Sequence, residues 1–454
     1  MRCLLRDILY FLAAVLTSPL WGWRLWRTGK WRTDWAGKFG KTPPLPPGSG
    51  PTILFHAVSV GEVNAIRALV SRLHEHLAAN AGPGTGAATD ASSGGSGGSA
   101  GSGGGRIVIC TTTDTGFRRA TELYAARHTV VRYPLDFTFA VKRFLDALRP
   151  DLVALVELEV WPNFVAQCRR RDIPVCVVNG RLSARSFGRY KLIRPVLKRT
   201  FASLAAAGVQ AQDYAQRFIA LGTPAENVHV LDTMKWDTAQ ALAEGVDPVA
   251  ALPGAAELAK ALGIDRARPL IVAGSTAPGE DKLLIDTCPP HAQLLLVPRK
   301  PEWFKEVAAL APAPGMVQRS KHPDGTVRPP DGQRLFLLDT MGELRKAYAL
   351  ADVCIVGRSF LGLFGSDMME PIALGKPTII GPYHSDFADI MAALVAQQGI
   401  VVTDQPGPAA ARLLAHRSQA QALADRGRRV ILSRQGATRR HLEMLLGVLE
   451  HRRS

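Results

Sequence analysis

Glu62 lies where an apolar run gives way to a helix-like pattern, within the segment His56-Ala57-Val58-Ser59-Val60-Gly61-Glu62. Residues 51–55 form a run of strand length, and residues 65–73 carry apolar side chains at helical spacing. In parallel α/β sheets, ligands bind where the strands end. Glu62 therefore has two open interpretations. It is either a general base at a strand end or the glutamate of a Ser59-x-x-Glu62 capping box, which satisfies a backbone N–H.

Further charged residues follow other predicted strands. Glu157 and Glu159 come directly after the apolar run 152–156. If the strand continues through them, the two carboxylates share one face. They are then candidates for a functional site, and a solvated loop pair is the alternative. Lys235 follows the strand-like run 228–231 and could neutralise negative charge in a cleft, or be an ordinary surface lysine.

The C-terminal half repeats this arrangement. Thr340-x-x-Glu343 is a capping-box pattern at a predicted helix start. Asp367 is placed to cap the helix that carries Glu370. A glycine-containing loop such as the one at Gly365, when it opens a helix, can bind an anion through free N–H groups and the helix dipole.

The elements that position these residues alternate between strand and helix. A chain of 454 residues is long enough for two domains with full cores, and the alternation predicts parallel sheets. We predict a first α/β domain over 51–237 and a second over 249–454, preceded by a separate segment over 1–42. Residues 43–51 form a Pro/Gly linker. Residues 79–105 are rich in Gly, Ser and Ala, which predicts a disordered insertion with no role in the chemistry.

The N-terminal segment has the composition of a membrane anchor. Residues 8–23 are apolar apart from Thr17 and Ser18, with Pro19 and Gly22 as breakers. Lysines, arginines and tryptophans crowd the run's C-terminal side, as is typical of the headgroup level. The run is short for a bilayer span. We interpret it as an uncleaved anchor that lies in or dips into the membrane; a true span and an ordinary surface helix are the alternatives.

The net charge and the cysteine spacing indicate which classes of partner and which cellular compartment to expect. The net charge of +16 suits nucleic acid, anionic lipid or a phosphorylated substrate. No helix-turn-helix, zinc-finger or aromatic RNA-binding signature occurs, so we expect no nucleic-acid partner. The six cysteines form no C-x-x-C pair, which argues against a zinc site and a disulfide framework and fits a reducing compartment.

Taken together, these motifs resemble one family, the 3-deoxy-D-manno-octulosonic acid (Kdo) transferases. The resemblance covers nearly all of the chain. The matching segments, in chain order, are His56-Ala-Val-Ser-Val-Gly-Glu62, Tyr133-Pro-Leu-Asp136, Glu157-Leu-Glu-Val-Trp-Pro-Asn163, Asn179-Gly-Arg-Leu-Ser183, Lys235-Trp-Asp237, Pro298-Arg299, Asp339-Thr-Met-Gly-Glu-Leu344 and Met369-Glu370-Pro371.

The resemblance implies a GT-B architecture of two Rossmann-like domains facing a cleft, with an N-terminal membrane-associated helix. It implies transfer of Kdo from CMP-Kdo to the lipid A precursor (lipid IVA) with inversion, without a metal or other cofactor, at the cytoplasmic face of the inner membrane. Glu62 would be the base, with Glu157 and Lys235 supporting the transition state. The positions that match CMP contacts are Pro298, Arg299, Met341, Gly342, Glu343, Asp367, Met368, Met369 and Glu370.

Several positions depart from the family pattern, mostly on the presumed donor side. Lys300 stands where the family has histidine, and Asp367 stands where it has asparagine. These departures motivate a second hypothesis, a GT-B enzyme that uses another nucleotide sugar. A third is a catalytically inactive, basic membrane-surface binding protein of the same fold, against which the joint presence of Glu62, Glu157, Lys235 and Arg299 argues.

Overall fold

The computed structural model describes residues 2–27, 33–48, 50–80, 104–312, 315–323 and 332–453. The chain forms two compact units. Unit 1 comprises 1–237 together with 436–454, and unit 2 comprises 238–435. Each unit is an α/β structure built on a parallel sheet. The predicted α/β class with two Rossmann-like units is therefore confirmed.

Unit 1 contains a seven-stranded sheet in the order β3-β2-β1-β4-β5-β6-β7. Every pair of neighbouring strands is parallel. The strands are β1 (Thr52–His56), β2 (Arg106–Thr111), β3 (Thr129–Arg132), β4 (Leu152–Val156), β5 (Val175–Gly180), β6 (Ala206–Val209) and β7 (Val228–Val230). The order reverses beside β1, and such a switch point is where ligands bind in open α/β sheets.

Helices connect the strands of unit 1, and the last helix of the chain joins them. They are α1 (Arg2–Arg27), α2 (Trp35–Lys38), α3 (Val60–Ala65), α4 (Arg67–Ala79), α5 (Asp114–Tyr124), α6 (Thr138–Leu148), α7 (Pro162–Arg169), α8 (Ala184–Leu192), α9 (Arg194–Phe201), α10 (Gln212–Leu221) and α20 (Ala437–Arg453). A 3-10 turn, Met234–Thr238, closes the series after β7.

Unit 2 has the same plan, with strand order β10-β11-β9-β8-β12-β13-β14. Its strands are β8 (Leu270–Thr276), β9 (Gln293–Pro298), β10 (Val317–Gln318), β11 (Leu335–Leu337), β12 (Val353–Val356), β13 (Thr378–Ile380) and β14 (Val401–Val402). Its helices are α11 (Pro248–Ala251), α12 (Ala255–Leu262), α13 (Glu280–Thr287), α14 (Phe304–Ala308), α15 (Leu344–Leu350), α16 (Met369–Ala373), α17 (Ala388–Ala396), α18 (Pro406–Ala415) and α19 (Arg417–Arg434).

The central strands are buried on both faces, which explains why they read as continuous apolar runs. Every residue of β1 is buried. Successive side chains point to opposite faces, so Leu54 and Phe55 belong to different apolar clusters of unit 1. Ile271 and Val272 divide in the same way in unit 2. Helices therefore cover both faces of each sheet.

The C-terminal boundary differs from the prediction. The second domain is predicted to cover all of 249–454, whereas residues 436–454 belong to unit 1. Leu445 and Leu449 of α20 pack into the apolar cluster around β1 of that unit. The domain on which a C-terminal helix packs cannot be predicted from the helix sequence alone, because its pattern is that of any amphipathic helix.

The predicted insertion falls largely outside the described residues, because 81–103 are not among them.

The predicted helix breakers in the N-terminal run do not end α1, which continues through Pro19 to Arg27. Pro19 has no N–H to donate to the carbonyl of Val15, and the Ser18 hydroxyl donates to that oxygen at 2.8 Å. Across the part of the chain that the structure describes, no helix is both long enough and apolar enough to cross a membrane.

Candidate active site

Glu62 lies in the first turn of α3, close after the end of β1, and its carboxylate is held by two hydrogen bonds. Its Oε1 accepts from the Ser59 hydroxyl at 2.8 Å, and its Oε2 accepts from the backbone N–H of Val58 at 2.8 Å. The Ser59 hydroxyl oxygen in turn accepts the backbone N–H of Glu62 at 3.3 Å. Ser59 is the N-cap of α3. The serine half of the predicted capping box is therefore formed, while the carboxylate bonds Val58 rather than the N-cap N–H.

The environment of Glu62 also suits a base. The residue is 9% exposed. Burial raises the pKa of its carboxyl to about 7, against the lowering effect of the two hydrogen bonds, and the charges of Glu157 and Glu159 raise it further. A carboxyl that titrates near neutrality is matched to proton transfer at physiological pH. Helix capping and proton transfer are compatible here, because the Ser59 side chain caps α3 while the Glu62 carboxyl has a pKa suited to proton transfer.

Glu157 does not lie in a strand, contrary to the shared-face prediction. β4 ends at Val156, and Glu157 adopts a left-handed backbone conformation with φ of 59°. Burial raises the pKa of Glu157, while the charges of Arg181 and Lys235 lower it. Burial and the charge of Glu157 likewise raise the pKa of Glu159, against a bond that it accepts from Trp161. A turn, rather than strand alternation, thus brings these carboxylates near each other and near Glu62.

Lys235 lies in the 3-10 turn after β7, and Asn179 at the end of β5 positions that turn. Asn179 has φ of 53° and is fully buried. Its side-chain oxygen accepts the backbone N–H of Met234 at 3.1 Å. The charge of Lys235 acts on Glu157. Unit 1 therefore brings together the three predicted catalytic residues Glu62, Glu157 and Lys235 through the carboxyl ends of β1, β4, β5 and β7.

Helix α20 also holds the 3-10 turn that carries Lys235, which we call the lysine turn. Both carboxylate oxygens of Asp237 accept backbone N–H groups at the start of this helix, from Gly436 at 2.6 Å and Thr438 at 2.5 Å. Arg440 forms an ion pair with Asp232 at 3.0 Å. Residues from the end of the chain thus fix the turn that carries Lys235. This contribution was not predicted, since nothing in the sequence near 436–440 resembles a functional motif.

In unit 2, the predicted donor residues lie after parallel strands. Pro298 ends β9, and the Arg299 N–H donates to the carbonyl of Thr276 at 3.1 Å. Burial and the charge of Arg358 lower the pKa of the Arg299 guanidinium, while Asp386 and Asp367 act in the opposite direction. The positive charges of the two arginines are offset only in part by the two aspartates, so this edge of the sheet is a positive region. Such a region suits an anionic ligand.

Glu280 supports this region and was not predicted. The residue is fully buried at the start of α13. Its carboxylate accepts four backbone N–H groups, from Ala277 at 3.0 Å, Arg358 at 2.6 Å, Ser359 at 2.8 Å and Phe360 at 2.9 Å. One side chain therefore fixes the loop after β12, including Arg358, which has φ of 57°.

The segment after β11 places Met341, Gly342 and Glu343 ahead of α15. Met341 is 68% exposed, and Gly342 has φ of 86°. Thr340 donates to the Glu343 carboxylate at 2.6 Å, but α15 begins after Glu343 and has no side-chain cap. The predicted Thr340–Glu343 capping box is therefore wrong as a cap; Glu343 instead lies near Arg319 and Lys346.

The Asp367–Glu370 turn opens α16. Asp367 accepts the backbone N–H of Met369, the first residue of α16, at 2.8 Å. The N-cap of α16 is Met368, which makes no side-chain cap bond, so Asp367 lies one residue before the cap position and the predicted cap is wrong. Glu370 is partly buried, and burial and the charge of Asp367 raise its pKa. Met368 and Met369 are 0% and 1% exposed, so both residues are buried, backbone included. Within the described ranges, no three His, Cys, Asp or Glu side chains form a metal-binding group.

Sequence comparison identifies relatives across most of the chain. A family described as 3-deoxy-D-manno-octulosonic-acid transferase (kdotransferase) matches residues 33–238. The 3-deoxy-D-manno-octulosonic acid transferase of Haemophilus influenzae is 30% identical over 422 residues, covering 89% of this chain and 88% of that protein. The enzyme of the same name from Bordetella pertussis is 30% identical over 447 residues, covering 94% and 95%.

Solved structures share the fold at low identity. A glycosyltransferase from Rickettsia africae has a TM-score of 0.53 and 12% identity, covering 88% of this chain and 99% of that one. Anabaena Alr3699/HepE, solved in complex with UDP, has a TM-score of 0.52 and 14% identity with the same coverage. These similarities support a GT-B-like fold and carry no information on the ligand of this chain.

Proposed function

The chain belongs to the Kdo transferase family and is a glycosyltransferase, and we propose that it moves Kdo from CMP-Kdo to the lipid A precursor lipid IVA with inversion. In this proposal Glu62 is the general base. The donor nucleotide binds unit 2 through the residues that follow β9, β11 and β12. The observation that carries the base assignment is the buried Glu62 carboxyl, held by Ser59 and Val58, with a pKa of about 7.

The step that Glu62 serves is a single displacement. The ionised carboxylate takes the proton of an acceptor sugar hydroxyl as that oxygen attacks the anomeric carbon of Kdo. The bond from this carbon to the phosphate oxygen breaks, and CMP leaves with the bonding electrons. Attack opposite to the leaving group inverts the anomeric configuration. Water afterwards removes the proton from Glu62, so the net products are the Kdo glycoside, CMP and a proton.

Glu157 and Lys235 supply charge around this step. The ammonium group of Lys235 faces negative charge in unit 1, since it lowers the pKa of Glu157. A fixed cation of this kind stabilises negative charge that develops in a transition state. We assign Glu157 to holding this lysine and to keeping the pKa of Glu62 high through repulsion.

The donor assignment rests on family membership and on the positive region of unit 2. We propose that Arg299 binds the CMP phosphate, because a guanidinium can form paired hydrogen bonds to phosphate oxygens. Glu370 accepts from the ribose hydroxyls, and Pro298, Met341, Gly342, Glu343 and the Asp367–Met369 turn complete the nucleotide contacts. Family membership favours CMP-Kdo over a different nucleotide-sugar donor, the alternative that Lys300 and Asp367 motivated.

We propose that the enzyme works at the cytoplasmic face of the inner membrane, where its lipid acceptor is embedded. The exposed side of α1 is apolar: Phe11 is 62%, Leu16 79% and Trp26 73% exposed. Such a face lies favourably at the boundary of headgroups and acyl chains. The basic charge of the chain favours anionic lipid, and the free thiols of its described cysteines fit a reducing compartment.

The deciding experiment measures CMP release from CMP-Kdo with lipid IVA in detergent. Wild type should release CMP, and Glu62→Gln should lose at least about 100-fold in rate, because the amide cannot accept the proton. Glu75→Gln is the matched control, since it makes the same change on the exposed side of α4. Unchanged turnover in Glu62→Gln would remove the base assignment. No CMP release by wild type would reject the donor, and other nucleotide sugars would then be screened.

A further inference from the structure

Two residues of the family motifs, Asp136 and Asn163, have no role in the proposed chemistry, and both take part in a buried hydrogen-bond network. Asp136 of the Tyr133–Asp136 motif accepts the backbone N–H groups of Asn163 at 2.9 Å and Phe164 at 2.7 Å. Its own backbone carbonyl accepts from the Asn163 side chain at 2.7 Å. Asp136 is 8% exposed and Asn163 is fully buried. The two motifs therefore hold each other at the first turn of α7.

The other half of this network comes from α1. Arg6 donates to the carbonyl of Pro162 at 3.0 Å, and the Tyr10 hydroxyl donates to Asp136 at 3.2 Å. Asp7 accepts from the Asn163 side chain at 2.9 Å and from the backbone N–H of Thr138 at 3.0 Å. Because positions i and i+4 of a helix share a face, Arg6 and Tyr10 lie on one side of α1. That side is polar, in contrast to the exposed apolar side.

This network ends next to the carboxylates of the site. Residues 157–161 connect β4 to α7. Their first residue is fixed by a backbone bond, in which the Glu157 N–H donates to Val178 at 3.0 Å. At the far end, Trp161 donates to the Glu159 carboxylate at 2.8 Å and is followed by Pro162 and Asn163, which α1 holds. Helix α1 thus restrains one end of the segment that carries Glu157 and Glu159.

We propose that α1 is a positioning element of the active site as well as a membrane-contacting helix, and that Asp7 is its main positioning residue. Asp7 lies in a largely apolar helix, where a charged group is costly unless it is paired. Its Oδ1 accepts from both the α7 side and the α6 side, so it joins the two segments. The inference rests on the proposed roles of Glu62 and Glu157. It predicts that disturbing the polar side of α1 changes catalysis even where no membrane is present.

The test compares Asp7→Ala, Asp7→Asn and Leu16→Ala with wild type in detergent. Asp7→Ala removes the shared acceptor, and we expect kcat to fall about tenfold or more. Asp7→Asn keeps an acceptor oxygen for Asn163 and Thr138 and should restore most of the rate. Leu16→Ala alters the exposed side of the same helix and should leave kcat in detergent unchanged.

The pH dependence of kcat separates positioning from simple loss of folded protein. When the Glu157–Glu159 segment is released, its negative charges repel Glu62 less, so the acidic limb of the Asp7→Ala profile should move to lower pH. A variant that only unfolds more readily would lose amplitude in proportion to its folded fraction, with no movement of the limb. That result, or a wild-type profile for Asp7→Ala, would overturn the proposal.

The inference and the proposed function fail in different ways. If Glu62→Gln retains full turnover while Asp7→Ala loses activity and Asp7→Asn regains it, the base assignment is rejected and positioning by α1 stands. If Glu62→Gln is inactive but Asp7→Ala behaves like wild type in rate and profile, the base stands and the positioning role is rejected. Equal losses for Leu16→Ala and Asp7→Ala would also reject it.

Discussion

The imidazole Nε2 of His441 accepts the backbone N–H of Asn179 at 2.9 Å, across 262 residues of sequence. The other ring nitrogen, Nδ1, donates to the carbonyl of Ala437 at 2.8 Å. Accepting at one nitrogen and donating at the other requires the neutral ring. Burial lowers the pKa of His441, which keeps this form. Since Asn179 also holds the backbone of Met234, one chain of contacts runs from the last helix to the lysine turn.

His441→Ala should therefore destabilise the protein. The substitution leaves a cavity and an unsatisfied N–H on Asn179, and we expect a loss of about 2–4 kcal/mol in the free energy of unfolding. Chemical denaturation followed by circular dichroism measures this change. His451→Ala, on an exposed position of α20, is the matched control and should change stability by less than about 0.5 kcal/mol. Equal stability of the two variants would show that the buried contact with Asn179 contributes little.

The pH–rate profile should report the Glu62 carboxyl. A base must be ionised to accept a proton, so kcat/KM should fall as pH drops through about 7, the pKa of Glu62 in the free enzyme. Steady-state CMP release between pH 5 and 9 measures the limb. An acidic limb near the ordinary glutamate value would contradict the assignment of Glu62 as the group that titrates.

Two substitutions should move this limb in opposite directions. Ser59→Ala removes a hydrogen bond that lowers the pKa of Glu62, so the midpoint should rise. Glu159→Gln removes a charge that raises the same pKa, so the midpoint should fall. The comparison needs only the sign of each shift, measured under one buffer and salt condition. Shifts of the same sign in both variants would show that another group controls the limb.

Local sequence patterns predicted part of this site. The remaining features depend on tertiary contacts, which the local sequence does not reveal. Ser59 and Glu62 are three residues apart, so the turn and its bonds follow from short-range geometry, and β1 follows from its apolar run. The conformation of Glu157 was missed because a left-handed glutamate is stabilised by its surroundings rather than by its own preference. The role of His441 was missed because its partner is distant in sequence. Glu280 was missed because a lone glutamate at a helix start resembles any solvated one.

Glu280→Gln should destabilise unit 2. The carboxylate accepts four backbone N–H groups, and an amide in its place presents an NH2 group to some of them. Donors then face donors in a fully buried position, and we expect a loss of about 2–3 kcal/mol. Urea denaturation measures the loss, with Glu257→Gln on the exposed side of α12 as the control. Wild-type stability in Glu280→Gln would mean that the loop after β12 does not depend on this acceptor.

Arg358→Gly should separate stability from donor binding. Arg358 has a left-handed backbone conformation with φ of 57°, which glycine adopts without the steric cost of a side chain. Relief of the backbone strain should stabilise the protein by about 1–2 kcal/mol, and loss of the bond from the Arg358 guanidinium to the Gly365 carbonyl offsets part of this gain, so Tm should rise modestly. The substitution also removes one of two cations from the region around Arg299, so CMP should bind about tenfold more weakly in calorimetry.

Arg358→Lys is the control, because it keeps the charge and the backbone strain. It should bind CMP more tightly than the glycine variant without the gain in Tm. Unchanged CMP affinity in Arg358→Gly, with wild type binding CMP, would exclude Arg358 from the donor site.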